Sequence, residues 1–435
     1  MKTRREHPYF SCIMFIFLSE YKIFHLDKLL IFVILYIMPD IHTLIAFCAV
    51  GAEKIVSNEL KKLNLTVIES GFGRVKFKSD LQGIYKALIG LRAADRVLLE
   101  AAFFDGEDFD ELFDGIRETP WEEYIPPHLG IRVSKVRTNR SKLGAETSIQ
   151  GVVHKAAADR LCEKRNIRRL PENRPSRRGE PEDPELRIHI EKNKVSVLLD
   201  LSGEPLFKRG YRTSGGAAPI RETTAAALIL HSMWKRKFPL YDPFSGSGTI
   251  AIEAALYAWD IAPGLGRSYA VNELLIKNEK IESEVREEFW SKIDFTRLVR
   301  ISGSDSDEGV VKAARSNLSR AVNLISGKER SNAAGEFEGE GRINFSVLEF
   351  RDARPDFEEG YIITNPPYGR RLGNTESAEN TYREMNILAE NFRGWKLGVI
   401  CEHSGFESFF GRKADSCREI SNGAIQTYFY QYEKL

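Results

Sequence analysis

Asn365-Pro366-Pro367-Tyr368 sets an amide, a bare carbonyl and an aromatic ring side by side, directly after the short apolar run Tyr361-Ile362-Ile363-Thr364. Two successive prolines fix φ twice and remove two N–H donors, so the chain at Asn365 can neither extend a strand nor begin a helix. Acceptors and a stacking face are thereby held at a strand end, where open α/β sheets bind their ligands. A second stretch, Tyr241 to Thr249, reads Tyr-Asp-Pro-Phe-Ser-Gly-Ser-Gly-Thr. Gly246 and Gly248 let the backbone approach a ligand and take φ values that other residues resist. The apolar run Ile250 to Leu256 that follows is predicted to be a helix with unpaired N–H groups at its start, and Thr249 is placed to cap it. This stretch has no P-loop lysine and is no clean dinucleotide fingerprint. On its own it also reads as a tight turn packing a helix on a sheet.

Positioning these groups takes a mostly parallel, doubly wound sheet. Its second strand is predicted over Leu298 to Ser302, ending in Gly303-Ser304-Asp305-Ser306-Asp307. A carboxylate there can accept hydrogen bonds from ribose hydroxyls. Asp305, nearer the strand, is the candidate, and Asp307 reads as the cap of a helix from Val310 to Asn317. Further strands are predicted at Ile343 to Leu348, followed by Arg351-Asp352, and at Trp395 to Glu402 and Gln426 to Tyr432, with a turn at Asn422-Gly423. Helices are expected from Thr223 to Trp234 and, strongly charged, from Leu274 to Ile293. Gly327 to Gly341 is rich in Gly, Glu and Ser and reads as a surface loop.

The 435 residues allow two or three domains. Ahead of the sheet, Thr43 to Cys48, Gly51 to Leu60, Val67 to Glu69, Arg74 to Phe77, Leu81 to Leu88 and Arg96 to Phe104 give a β-α-β-β-α-β order, the ferredoxin-like split unit. A helix from Glu107 to Glu118, a strand from Ile131 to Arg137, a helix from Ser148 to Arg165 and a hairpin across Asn193 follow. Net charge is +1, yet Ile131 to Arg178 holds 14 Lys/Arg against 4 Asp/Glu, a local +10. That asymmetry suggests a phosphate-meeting surface with Lys135, Arg137, Arg140 and Lys142 as candidates, or a merely solvated basic face. The five cysteines, Cys12, Cys48, Cys162, Cys401 and Cys417, show no metal or disulfide spacing. A reducing, cytoplasmic setting without a metal is expected. Residues 1–37 hold broken apolar runs too short to span a membrane; they are read as a leader preceding a true start at Met38, or as an anchor.

Together the two site stretches resemble class I S-adenosylmethionine-dependent methyltransferases that modify exocyclic amines. Lys208-Arg209-Gly210-Tyr211-Arg212, Pro219-Ile220-Arg221-Glu222-Thr223 and Ile261-Ala262-Pro263-Gly264 narrow the resemblance to guanine-N2 methyltransferases of large-subunit ribosomal RNA. Residues 42–203 resemble the ferredoxin-like and THUMP segments of RNA-modifying enzymes. The resemblance implies a leader over 1–37, a ferredoxin-like segment over 38–105, a THUMP domain over 106–203 and a Rossmann-like methyltransferase domain over 204–435. It implies S-adenosylmethionine as cofactor, held by Asp242, Phe244, Gly246, Gly248, Thr249 and Asp305, with Asp352 on the adenine amino group. Asn365 and the Pro366 carbonyl would accept the N–H groups of the base, stiffened by Pro367, while Tyr368 stacks on it. Lys208, Arg209 and Arg212, between the domains, would join the RNA contacts. Arg370 stands where the family's pattern suggests an acidic residue. A guanine-N2 methyltransferase of tRNA, an amino-adenine methyltransferase and a non-enzymatic RNA-assembly factor are the competing readings.

Overall fold

Apolar residues alternate along the early strands, Leu44 and Ala46, Val75 and Phe77, Val97 and Leu99, and each pair turns one face of an extended chain inward. In the computed structural model, which describes residues 41–171, 182–212, 220–326, 343–367, 375–423 and 425–435, this face belongs to a seven-stranded sheet. Its strands are β1 (His42–Cys48), β2 (Thr66–Gly71), β3 (Arg74–Ser79), β4 (Ala94–Asp105), β5 (Arg132–Asn139), β6 (Glu185–Glu191) and β7 (Lys194–Asp200). The order β2-β3-β1-β4-β7-β6-β5 makes the ferredoxin-like strands and the following ones a single sheet, joined by β4 against β7. The β6–β7 hairpin turns through Lys192 and Asn193 at φ 51° and 62°. Helices Glu53–Lys62, Leu81–Gly90, Phe109–Glu118 and Glu146–Arg165 bury their apolar sides in the same core.

The opposite face carries only a small apolar patch of Ile45, Leu98 and Leu198 beside Phe47, and it curls inward. Arg74 on β3 reaches Glu191 on β6 at 3.0 Å, and the rings of Phe47 and His189 lie 5.3 Å apart. Strands four places apart would sit about 19 Å apart in a flat sheet, so the contact requires a concave surface.

The second sheet comprises β8 (Leu240–Asp242), β9 (Ile301–Asp305), β10 (Ile343–Val347), β11 (Tyr361–Thr364), β12 (Lys396–Cys401), β13 (Ser416–Asn422) and β14 (Ile425–Tyr432). Its order is β10-β9-β8-β11-β12-β14-β13, parallel from β10 to β12, with β14 antiparallel to β12. Strand order reverses between β8 and β11, which puts the carboxyl ends of these two strands at the topological switch point. Together with the ferredoxin-like first sheet, this is the Rossmann-like α/β arrangement expected.

Three local expectations change. The strand predicted at 298–302 runs instead over Ile301–Asp305. The charged helix is shorter, Glu279–Trp290, because Asn278 starts it by accepting from the N–H groups of Lys280 and Ile281. The polar edge strand β13 was not foreseen. Contacts between the two sheets' halves include Val50 N–H to Ser421 Oγ at 2.9 Å and Gly264 N–H to the Ile89 carbonyl at 3.0 Å. Among the described residues no helix is long and apolar enough to cross a membrane. The leader at 1–37 lies outside the described residues.

Candidate functional site

Asp242 closes β8 and is 1% exposed. One of its oxygens accepts from Thr364 Oγ1 at 2.6 Å and from the Phe244 N–H at 3.2 Å, so it ties the ends of β8 and β11 together beneath the site. Burial, with Asp305 nearby, pushes this carboxyl up to about 7 against those two hydrogen bonds. The chain then turns through Gly246 and Gly248 at φ 50° and 82°. A Cβ on Gly248 would stand 2.8 Å from the Phe345 ring and 3.1 Å from Ala314 Cβ, so both backbone angle and space require glycine there. Gly248 is also the residue that caps helix Thr249–Ala258. Thr249 is the first helical residue and its side chain caps nothing, which corrects the expectation for it.

The turn is fastened to β9. Ser245 N–H donates to the Ser304 carbonyl at 2.8 Å, and Gly246 N–H donates to Asp305 Oδ2 at 3.1 Å. Asp307 accepts from the N–H groups of Gly309 and Val310 and caps helix Glu308–Ser326, as its position suggested. Asp305 is left at the mouth of the turn.

Phe244, Gly246, Asp305, Asn365 and Pro367 meet in one open cleft of about 260 Å³. That size is just under the range of about 300–1,000 Å³ usual for small-molecule sites. Pro243, Ser306, Glu349, Phe350 and Thr381 complete the lining. The rings of Phe244 and Phe350 pack at 4.8 Å. Asn365 is 8% exposed, and its Oδ1 is buried with no hydrogen-bond partner among the described residues. A buried acceptor left unmade costs about 1–3 kcal/mol, so this oxygen is open to a donor from beyond the described residues. Asp242, Gly248 and Thr249 lie behind the lining. Asp352 is exposed in a turn closed by its own N–H on the Glu349 carbonyl, and Glu349 and Phe350 line the cleft where it had been expected. Tyr368 and Arg370 lie outside the described residues. A larger cavity, about 340 Å³, is lined by Arg300, Ser302, Ser346 and Trp395 among others, and holds none of the candidate groups.

The basic candidates separate into two sets. Lys135 and Arg137 are exposed on β5, in register with Arg187 and His189 on β6. Neither has a carboxylate within ion-pair range among the described residues. Burial, then Arg137, Arg187 and Arg96, lower the Lys135 ammonium; burial, then Arg74, Arg137 and Lys135, push His189 down to about 4. These shifts mark a cluster of positive charge on this face, although Arg74, Arg96 and Arg187 each also meet a carboxylate. Arg140 is exposed just beyond β5, and Lys142 is ion-paired with Glu107. Lys208 is exposed but paired with Glu204 at 2.6 Å. Arg209 and Arg212 are corrections. The Arg209 side chain is 3% exposed and donates to Glu253, the Leu206 carbonyl and the Arg92 carbonyl. Arg212 donates to Glu222 and to the Ile220 carbonyl. The Arg209 guanidinium is buried away from any RNA, and the half-buried Arg212 is already engaged by Glu222.

Residues 209–431 match the RMKL-like methyltransferase domain, and residues 43–98 match the RlmL ferredoxin-like domain. The chain is 33% identical over 393 residues to "Putative RNA methyltransferase YpsC" of Bacillus subtilis, covering 90% of this chain and 96% of that protein. It is 30% identical over 418 residues to "Ribosomal RNA large subunit methyltransferase K/L" of Marinomonas sp., with 91% of this chain and 53% of that protein covered. The chain thus spans about half the length of that relative. Among solved structures it is similar to SMU.472, described as a putative methyltransferase complexed with SAH, at 34% identity and a TM-score of 0.79, over 92% of this chain and 99% of that one.

Proposed function

The chain belongs to the RMKL-like methyltransferase family, and on that footing we propose that it methylates the exocyclic N2 amine of a guanine in 23S ribosomal RNA, in the cytoplasm, using S-adenosylmethionine. The observation that carries this reading is the buried Oδ1 of Asn365 at the end of β11, without a partner among the described residues and sharing a cleft with Gly246 and Asp305. The cleft suits the cofactor. Gly246 provides a backbone surface without a side chain, Gly248 lets the turn behind it pack closely, and Asp305 offers a carboxylate for hydroxyl groups. When bound, S-adenosylmethionine supplies a methyl already activated on sulfonium, so no nucleophile or metal is needed from the chain.

The chain's task is the acceptor. An aromatic amine is a poor nucleophile because its lone pair is delocalised into the ring. Asn365 Oδ1 and the Pro366 carbonyl each accept one of its N–H groups, which orients the lone pair and stabilises the positive charge that develops on nitrogen. Pro366 and Pro367 keep both acceptors from moving. Tyr368 stacks on the base and holds it out of its helix, worth about 1–3 kcal/mol. The proton lost from nitrogen passes to water. On the front half, Lys135 and Arg137 with Arg140 meet RNA phosphate. Residues 38–105 and 106–203 serve as its RNA-presenting segments and 204–435 as the catalytic domain.

Asn365→Ala and Asn365→Asp test the reading. Single-turnover methyl transfer at saturating cofactor should fall by about 10² or more, with cofactor affinity and Tm nearly unchanged. Near-normal turnover in Asn365→Ala would refute the role of Asn365. Mass spectrometry of ribosomal RNA from a deletion strain identifies the product: loss of one N2-methylguanosine in 23S RNA is expected, and loss of a methylated adenine instead would favour the amino-adenine reading.

A further inference from the structure

Behind the glycine turn, buried polar groups run from the cleft back to the front half. Asn317 is 2% exposed; its Nδ2 donates to the Ser247 carbonyl at 2.9 Å and its Oδ1 accepts from Arg320 at 2.6 Å. Arg320 Nε donates to the Tyr211 carbonyl at 2.8 Å, and the Tyr211 hydroxyl donates to Glu253 at 3.2 Å. Arg209 approaches the same Glu253 oxygen and donates to the Arg92 carbonyl of the front half at 2.5 Å.

Residues three apart on a helix share a face, and Ala314 and Asn317 both meet the turn. Ala314 stands against Gly248, where no side chain fits, while Asn317 grips the carbonyl one residue earlier. An asparagine amide could flip, exchanging donor for acceptor. Arg320, which has donors only, fixes Oδ1 toward itself and leaves Nδ2 for Ser247. The peptide between Ser247 and Gly248, whose N–H donates to the Ser245 carbonyl at 2.8 Å, is thereby held from both ends, and with it the path of the turn that leads past the cleft into the helix.

We propose that Asn317 is a positioning residue for cofactor binding, acting through the Ser247 carbonyl and itself oriented by Arg320. It rests on the reading that the glycine turn holds S-adenosylmethionine. Asn317→Asp is the informative substitution, because it keeps the acceptor for Arg320 and sets an oxygen against the Ser247 carbonyl. Calorimetry with S-adenosylhomocysteine should show Kd raised about tenfold, the loss expected of one buried hydrogen bond. The KM for S-adenosylmethionine should rise with it and Tm should fall by a few degrees, while kcat at saturating cofactor and RNA affinity stay close to wild type. Should Asn317→Asp fail to fold, Arg320→Met frees the amide to rotate and should raise Kd in the same direction, by about threefold. Unchanged Kd in the folded variants overturns the proposal. So does a parallel fall in Tm, RNA affinity and kcat, which would make Asn317 only a packing residue. Wild-type protein that fails to bind S-adenosylhomocysteine would instead remove the cofactor reading itself.

Discussion

Lys135 and Arg137 on the concave front sheet and Arg209 and Arg212 at the joint between the halves look alike in the sequence: basic, clustered, and flanked by glycine or polar residues. In the fold they are opposites. The front pair is exposed and has no carboxylate partner among the described residues, with other cations close by. At the joint, Arg209 is buried against Glu253 and Arg212 is half-buried against Glu222. A basic cluster therefore says where charge is needed, not what answers it. On the front no carboxylate among the described residues answers it; at the joint the answer comes from helices Thr249–Ala258 and Glu222–His231, and the charge holds two halves together.

The largest effect that could break this contrast is at Arg209. Arg209→Met leaves Glu253, wholly buried, with only the Tyr211 hydroxyl, and takes a donor from the Arg92 carbonyl. A stability loss of about 3–5 kcal/mol is expected in urea unfolding, the cost of stranding one partner of a buried pair. The double variant Arg209→Met with Glu253→Met should recover part of it. If Arg209→Met instead melts like wild type and loses RNA affinity, the joint assignment is wrong.

How far the sequence could carry this contrast depends on which neighbour decides. The glycine turn and the Asn365 segment were legible because proline and glycine restrict the backbone locally. So was the Asp307 cap, since its partners lie two and three residues away. The strand Ile301–Asp305 was misplaced because Gly303-Ser304-Asp305 has turn chemistry. Its glycine is needed for packing, a Cβ there lying 2.8 Å from Ser245 Cβ. The edge strand β13 is mostly polar and lacks the apolar alternation that reveals a half-buried strand. Glu349, Phe350 and Thr381 reach the cleft from a turn and a helix whose placement is set by tertiary packing, and nothing local to them signals it. Burial of Arg209 is likewise decided by Glu253 and Arg92, far away in sequence.

A second, smaller effect distinguishes the two regions by the sign of their pH response. Burial, against the counter-pull of Arg212, raises the Glu222 carboxyl from 4.5 to about 7. The folded protein then binds this proton more tightly than the unfolded chain. Its contribution is complete below pH 4.5 and is lost as pH rises through 7, by roughly 3 kcal/mol at most. Asp242 acts in the same direction, from 3.8 to about 7. His189 on the front runs the other way: lowered from 6.5 to about 4, it favours the fold above pH 6.5 and loses that contribution as pH falls toward 4. Glu222→Gln should flatten the decline in stability between pH 5 and 8, as followed by chemical denaturation at each pH. An unchanged slope would show that the Glu222 carboxyl is not perturbed in the fold.

The smallest effect sharpens the contrast within the front half itself. Lys135 and Arg137 lack carboxylate partners among the described residues, whereas Lys142 is ion-paired with Glu107 at the surface. A cation that meets phosphate releases counterions, and removing one such contact lowers the slope of log affinity against log salt by about 1. Lys135→Ala and Arg137→Ala should each produce a change of that size, with Tm unmoved because neither side chain is committed within the fold. Lys142 must leave Glu107 before it can meet RNA, so Lys142→Ala should change the slope by less than half as much. Glu107→Gln frees Lys142 and should tighten RNA binding slightly at low salt. Fluorescence anisotropy with a 23S RNA fragment over a salt series reads all four variants. Equal slopes for Lys135→Ala and Lys142→Ala would mean that pairing within the chain does not decide which cations face the RNA, and the contrast between front and joint would then rest on burial alone.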